Sequence, residues 1–177
     1  MKFRRWRTEE SSVKFRNEYW SYYIDRFSID GGPAGDYHYV QTWGSTIIIP
    51  VLPDNKFLLI EQYRYLNKKN GIEFPCGGVK EGLSPFENAQ KELREETGYL
   101  ANELVKVAEF TPFTGAADEI CHVFIGKKLE RAPLKMDDTE DIELLTCTRE
   151  DIENHISANR IWDGLSLAAW SLTRHLL

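Results

Sequence analysis

The sequence lacks any apolar run long enough to cross a bilayer, so we expect no membrane partner. No apolar stretch follows the basic residues of MKFRRWRTEE, so we expect no signal peptide and a cytoplasmic location. Cysteine is scarce, because Cys76, Cys121 and Cys147 are odd in number and lack histidine partners at zinc spacing. We expect free thiols buried in a reducing compartment, with a catalytic cysteine as the alternative.

An excess of basic residues is also absent, since 22 Lys and Arg face 28 Asp and Glu and the net charge is −6. This balance argues against nucleic acid as a partner, and the basic cluster at residues 2–7 is typical of a solvated tail. An acidic protein can still bind phosphates when divalent cations supply the positive charge. Repeats and low-complexity linkers are missing, and 177 residues with 42% hydrophobic content predict one globular domain.

The most informative segment is residues 77–99, GGVKEGLSPFENAQKELREETGY. Ser84 is a strong N-cap, Pro85 suits the first helical position, and Glu87 closes a capping box. The helix is expected to run to about Thr97 and to end at Gly98. Helical spacing predicts an apolar stripe that faces the core, formed by Phe86, Ala89 and Leu93.

Three carboxylates lie on a neighbouring arc of the same helix: Glu92, Glu95 and Glu96. One interpretation is a solvated charged face, on which Lys91 pairs with Glu87 and Glu95. The other is a metal site, because crowded carboxylates repel one another unless a cation neutralises them. A glycine-rich loop at the start of the helix favours the second interpretation, since it lets backbone and ligand approach closely.

This segment resembles the Nudix box, Gly-x5-Glu-x7-Arg-Glu-U-x-Glu-Glu-x-Gly-U, in which U is a bulky apolar residue. An ungapped alignment matches Gly77, Glu92, Leu93, Glu95, Glu96, Gly98 and, loosely, Tyr99. Two positions depart, because Leu83 replaces the first Glu and Lys91 replaces the Arg. The resemblance implies that Glu92, Glu95 and Glu96 hold Mg²⁺ or Mn²⁺, helped by the backbone carbonyl of Cys76.

The residues before the box, EQYRY and then IEFPCGG, resemble the Nudix branch that cleaves ADP-ribose and nucleoside diphosphate sugars. The resemblance implies substrate contacts at Arg64, Glu73, Gly77 and Glu119, although Arg64 could instead form a surface ion pair. Many ADP-ribose hydrolases carry Ser-Pro-Gly where this chain has Phe113-Thr114-Gly115. This departure favours a substrate range wider than ADP-ribose.

A carboxylate outside the metal-binding set is expected to handle the attacking water. Glu140, with Asp138 beside it, matches the acidic loop of the resembling enzymes, and Glu96 is the remaining catalytic candidate. Asp118 and Glu119 are the alternatives in another loop, and any of these acids could simply be solvated. Glu140 is favoured because it lies next to a predicted strand at residues 142–145.

The resemblance implies an α/β fold with a mixed β-sheet sandwiched between helices and an N-terminal antiparallel β extension. Residues 1–44 would be a dimerisation section and residues 45–177 the catalytic core of a homodimer. Aromatic residues of the extension, including Trp20, Tyr22 and Tyr39, are candidates to stack on a base, or ordinary strand residues. Further strands are predicted at 45–51, 57–64, 104–110 and 120–125, and further helices at 148–158 and 163–177. The last helix is expected to bury Leu165, Ala168, Ala169 and Leu172.

The sequence leaves two candidate functions. The first is metal-dependent hydrolysis of the pyrophosphate bond of a nucleotide sugar, which yields a nucleoside monophosphate and a sugar phosphate. The second is a nucleotide-binding or regulatory module with weak catalysis, which the departures at Leu83 and Lys91 suggest. Lysine cannot replace the planar, two-pronged donor of arginine.

Overall fold

A computed structural model describes residues 3–136 and 141–177. The predicted catalytic residues Asp138 and Glu140 therefore lie outside the described residues. The strands are β1 Trp6–Arg16, β2 Ser21–Ile29, β3 Ala34–Gln41, β4 Ser45–Pro50, β5 Phe57–Arg64, β6 Lys69–Glu73, β7 Cys76–Gly78, β8 Tyr99–Phe110, β9 Cys121–Arg131 and β10 Ile142–Cys147. The helices are α1 Pro85–Thr97, α2 Arg149–Ser157 and α3 Gly164–Thr173, and a 3₁₀ turn follows at Arg174–Leu176.

Strand β4 lies at the centre of the core and is buried on both faces, as its unbroken run of apolar residues predicts. It pairs in parallel with β9 and antiparallel with β7, in a mixed sheet of order β7-β4-β9-β8. Ile48 packs on one side against Ala89 and Leu93 of α1. Ile47 and Ile49 face the other side, in a cluster that includes Trp170 of α3. The predicted mixed sheet between helices is confirmed.

Helix α1 has the predicted ends. Ser84 accepts a hydrogen bond from the Glu87 N–H, and the Glu87 carboxylate accepts one from the Ser84 N–H at 2.9 Å. Gly98 adopts a left-handed conformation with φ 76°, and its N–H bonds to Arg94. Ala89 and Leu93 are fully buried, but Phe86 is half exposed and packs against Phe124 in a T-shaped ring contact, because it lies at the border of the stripe.

The N-terminal extension is an antiparallel sheet of order β1-β2-β3. Strand β1 begins at Trp6, so most of the basic cluster that was expected to be a tail lies directly before this strand or inside it. Arg7, inside the strand, forms an ion pair with Asp30. Strand β1 is exposed along nearly its whole length. On the opposite edge of the sheet Val40 bonds to the loop between β8 and β9, donating to Ala116 at 2.8 Å and accepting from Asp118 at 3.1 Å.

Two local predictions were wrong in detail. Strand β6 begins at Lys69, within the polar segment LNKKNG (66–71) whose composition predicts a loop, because its backbone pairs with β5 from Arg64 onward. Helix α3 buries Trp170 and Ser166, and Leu172 is 39% exposed, because Trp170 takes the core position. All three cysteines are free and buried, as predicted. Within residues 3–136 and 141–177, no helix is both long and apolar enough to cross a bilayer.

Candidate active site

A cavity of about 820 Å³ opens where α1, β5, β7 and the N-terminal extension meet. It gathers most of the residues that the sequence singled out, although they come from distant parts of the chain. The predicted site residues that line it are Arg64, Cys76, Gly77, Glu92, Glu95, Glu96 and Glu119. Glu119 also accepts a hydrogen bond from Ser45 at 2.6 Å, which fixes it beside the start of β4.

The carboxylate of Glu92 lies directly against the backbone of Gly77. A Cβ atom added at Gly77 would be 2.5 Å from both Cδ and Oε2 of Glu92. Glu92 is only 7% exposed, and this burial raises the pKa of its carboxyl above the usual value, although Lys91 opposes the shift. The glycine therefore leaves room for a carboxylate that would otherwise be displaced.

Glu96 contacts the residue of β7 that precedes Gly77. It accepts a hydrogen bond from the Cys76 N–H at 3.0 Å. Burial raises the pKa of the Cys76 thiol well above its usual value, and the nearby charge of Glu96 adds to the shift. The thiolate is thus disfavoured, which argues against Cys76 as a nucleophile. Its side chain contributes a weak contact instead, with Sγ 3.9 Å from Arg64 Nη2.

Lys91 lies between two of the predicted metal ligands. Its ammonium forms a close ion pair with Glu95 and lies 3.4 Å from Oε1 of Glu92. Burial works against the charge, but the hydrogen bond with Glu95 and the charges of Glu92 and Glu95 leave the pKa of Lys91 raised. The metal-site interpretation of this helix face therefore omits one contact, because Lys91 is bound to two of the carboxylates that a cation would use.

Arg64 is held by a carboxylate that lies fully inside the protein. Its Nε donates to Glu73 Oε1 at 2.8 Å, and its Nη2 donates to the other oxygen of the same carboxylate. This hydrogen bonding raises the pKa of Arg64 further. Glu73, where a substrate contact was expected, has no exposed surface and does not line the cavity, so the structure places it behind Arg64.

Asn88 is a site residue that the sequence patterns did not reveal. Its buried side-chain amide donates to Thr46 Oγ1 at 2.9 Å and to the Gly77 carbonyl at 3.5 Å, and accepts from the Lys80 N–H at 3.3 Å. It thereby ties the glycine-rich loop to both α1 and β4. A polar residue at a buried helix position is the signal that could have revealed it.

The aromatic residues at the cavity differ from those expected. Tyr19 and Trp43 line the cavity, whereas Trp20 lines an adjoining one of about 380 Å³ to which Trp43 also contributes. The other two candidates interact inside the N-terminal sheet, where Tyr22 meets His38 and Tyr39 stacks on Tyr23. The sequence places Trp43 in an alternating set at residues 37–43, which predicts only a strand face, whereas Tyr19 falls outside any alternating set. Alternation therefore could not show that these two residues line the cavity.

The donors at this cavity suit a hard divalent cation. Glu92, Glu95 and Glu96 offer carboxylate oxygens, and the space kept by Gly77 lets one of them lie against the loop backbone. Within the described part of the chain, no group of three or more His, Cys, Asp or Glu side chains is already arranged to hold a metal ion. In this arrangement Glu92 and Glu95 contact Lys91, and Glu96 accepts a hydrogen bond from the Cys76 N–H.

Known proteins resemble this chain in sequence and in fold. The family model for the NUDIX domain matches residues 42–164. ADP-ribose pyrophosphatase of Bacillus subtilis (strain 168) is 30% identical over 144 residues, covering 80% of this chain and 78% of that protein. A methanol dehydrogenase activator of Bacillus methanolicus is 29% identical, covering 82% and 80%. GDP-mannose pyrophosphatase of Yersinia enterocolitica serotype O:8 is 30% identical, covering 70% and 69%.

Among solved structures, the crystal structure of an ADP compounds hydrolase superimposes with a TM-score of 0.84 at 18% identity. The superposition covers 97% of this chain and 94% of that one, so the N-terminal sheet belongs to the shared fold. The family model covers more than half of the chain and includes the carboxylate helix, the glycine-rich loop and Arg64. The chain therefore belongs to the Nudix family and is a Nudix hydrolase.

Proposed function

We propose that this protein hydrolyses the pyrophosphate bond of nucleoside diphosphate sugars such as ADP-ribose, using Mg²⁺ or Mn²⁺. The products would be a nucleoside monophosphate and a sugar phosphate. The observation that carries the proposal is one cavity that holds three helix carboxylates and a fixed arginine, Arg64. Carboxylates bind the cation, and the arginine binds the diphosphate.

Glu92, Glu95, Glu96 and the carbonyl of Cys76 would hold the cation. The cation would supply charge neutralisation for the diphosphate and a lowered pKa for water. Asn88 keeps the glycine-rich loop in place against α1, and Glu73 orients Arg64 toward the cavity. An arginine fixed in this way loses little conformational freedom when it binds a phosphate.

The attacking water needs a base that the metal ligands do not provide, because a cation lowers the pKa of every carboxylate it touches. Glu140 remains our candidate for this base, with Asp138 as its helper. A loop position would suit an acid that completes the site only after the substrate has bound. Glu119 is the alternative, since it lines the cavity and is fixed by Ser45.

The nucleoside would bind between the aromatic side chains at the mouth of the cavity. Tyr19 is 71% exposed and Trp43 is 58% exposed, although both line the cavity, so each can present a ring to a base. Trp20 in the adjoining cavity is a further candidate. Stacking is tolerant of base identity, and Thr114 replaces the expected proline, so we expect activity on several nucleoside diphosphate sugars.

A second candidate function is a nucleotide-binding regulatory module with weak catalysis. The contact of Lys91 with Glu92 and Glu95 favours it, because this lysine occupies the carboxylates that a cation would need. The name of the relative from Bacillus methanolicus, an activator of another enzyme, points in the same direction. We favour the hydrolase because all three carboxylates are retained.

We also propose that residues 1–44 form the dimerisation section of a homodimer, next to a catalytic core at residues 45–177. The exposed side chains of Trp6, Val13 and Phe15 on β1 support this arrangement, since an exposed edge strand with apolar side chains is a ready docking surface. The cytoplasmic location stays a prediction.

The decisive experiment is a hydrolysis assay with ADP-ribose, GDP-mannose and UDP-glucose. Each would be incubated with and without Mg²⁺, and the nucleoside monophosphate would be quantified by chromatography. We expect Mg²⁺-dependent release from more than one substrate, with Glu95→Gln as the inactive control. Strict selectivity for ADP-ribose would contradict the expected range, and no release from any substrate would favour the regulatory module.

A further inference from the structure

Lys91 is unusual because it makes direct contact with two carboxylates that the proposed function assigns to a metal ion. It donates to Glu95 one helical turn further on and lies 3.4 Å from Glu92. The side chain of Lys91 is 24% exposed, and those of Glu92 and Glu95 are 9% and 17% exposed. Water therefore screens these contacts only in part.

The three acids lie on one arc of α1, so they repel one another when nothing neutralises them. An ammonium group is a compact point charge at the end of a flexible stem, and it can serve two carboxylates in turn. Its three N–H groups are donors only, so it takes the same oxygens that a divalent cation would need. A cation that approaches both carboxylates meets the repulsion of the ammonium charge, so its binding is weakened while the ammonium stays in place.

The room for such a movement is visible in the structure. Lys91 lines the cavity, and its partial exposure places its end group at the boundary with solvent. A lysine stem of four carbons can reach water from there without any change in the helix backbone. The exchange therefore involves one side chain, and the packing of α1 through Ala89 and Leu93 is left as it is.

We propose that Lys91 is a built-in counter-ion that stabilises the carboxylate cluster and competes with the divalent cation for Glu92 and Glu95. This inference rests on the proposed function, and it adds that Lys91 sets the cation concentration at which the site becomes loaded. The charge of Lys91 weakens cation binding. A residue that only held a metal ligand in position would instead strengthen it. Removal of its charge should therefore tighten binding of the cation.

The test compares wild type, Lys91→Gln and Lys80→Gln. Lys80 lines the same cavity and its charge acts on Glu92, but it forms none of the ion pairs that Lys91 forms, so it is a matched control for charge without contact. Free Mn²⁺ would be titrated by electron paramagnetic resonance to obtain Kd. Thermal unfolding in the presence of EDTA would report the stability of each variant without divalent cations.

We expect Lys91→Gln to bind Mn²⁺ about tenfold more tightly than wild type, because a competing charge at contact distance is gone. Lys80→Gln should change Kd by less than about threefold, since a charge without an ion-pair contact is screened by solvent. In EDTA, Lys91→Gln should lower Tm by about 2 °C or more, and Lys80→Gln should leave it unchanged.

Equal or weaker Mn²⁺ binding by Lys91→Gln would overturn the inference, as would equal tightening by both variants. If the wild type still hydrolyses nucleotide sugars with Mg²⁺, either of these results leaves the proposed function intact. Conversely, tighter binding by Lys91→Gln alone, with no hydrolysis of any nucleotide sugar, would support the inference and overturn the proposed function. Failure of both wild type and Lys91→Gln to bind Mn²⁺ would overturn both.

Discussion

Replacement of Gly77 by alanine is the sharpest perturbation of the site. The added Cβ would lie 2.5 Å from Cδ and Oε2 of Glu92 and 2.9 Å from Oε1. Non-bonded heavy atoms prefer separations of about 3.5 Å or more, so the carboxylate must move by about 1 Å. The displaced group is the end of a flexible side chain, so we expect the fold to lose only about 1 kcal/mol of stability.

The effect on catalysis should be much larger than the effect on folding. A misplacement of about 1 Å in a catalytic group can reduce the rate about 100-fold, and Glu92 is a proposed metal ligand. We therefore expect kcat/KM for ADP-ribose to fall by about two orders of magnitude in Gly77→Ala. Mn²⁺ binding should weaken at the same time, whereas Tm should change by only a few degrees.

Gly78→Ala is the matched control, because it adds the same methyl group to the neighbouring residue of β7. No atom of residues 3–136 or 141–177 lies within 4 Å of a Cβ built at Gly78, and this glycine is exposed. Steady-state kinetics, Mn²⁺ titration and thermal unfolding of both variants would complete the test. Activity of Gly77→Ala within about twofold of that of Gly78→Ala would refute the argument that Glu92 must lie against the loop.

Three further predictions concern single carboxylates. Glu95→Gln should reduce turnover at least about 100-fold with unchanged circular dichroism, because it removes a charged ligand from the surface of the cavity; a near-normal rate with Mg²⁺ would exclude Glu95 as a ligand. Glu73→Gln should lower Tm and raise KM, because Arg64 loses half of its paired contact; kinetics showing a fall in kcat alone would contradict a positioning role. Glu140→Gln should retain substrate binding but lose most of kcat in single-turnover measurements, and Asp138→Asn should lose less. If Glu140→Gln turns over like the wild type and Glu119→Gln is inactive, the base is Glu119.

Local signals in the sequence were sufficient for the carboxylate helix and the central strand. Ser84, Glu87 and Gly98 act within a few residues of the helix ends, so their effect does not depend on the rest of the fold. The apolar run of β4 also predicts its structure without distant contacts, because a strand that is covered on both faces shows no alternation of apolar and polar residues. The family motif added Arg64, which pattern alone would leave as a surface charge.

The missed features depend on contacts between residues far apart in sequence. Glu73 could be assigned to Arg64 only from the folded structure, because the register of β5 and β6 places Glu73 opposite Ile60, and the Arg64 side chain reaches it from further along β5. Trp170 takes the core position of α3 because it packs on Phe57 and Phe74, which the helix sequence does not reveal. Tyr19 reaches the cavity through a turn in which its N–H bonds to Asn17, and turns of this kind have no hydrophobic period.

The link between the N-terminal sheet and the loop before β9 has a consequence for hydrogen exchange. Strand β4 is buried on both faces, so its amides should exchange only through global opening. The amides of β1, an exposed edge strand, should exchange through local openings of much lower free energy. The Val40 and Thr42 amides lie between these extremes, because they donate to Ala116 and Asp118 of the loop. A substrate held by Trp43 and Glu119 would contact the residues that follow Thr42 and Asp118, so slower exchange at Val40 and Thr42 would report its binding.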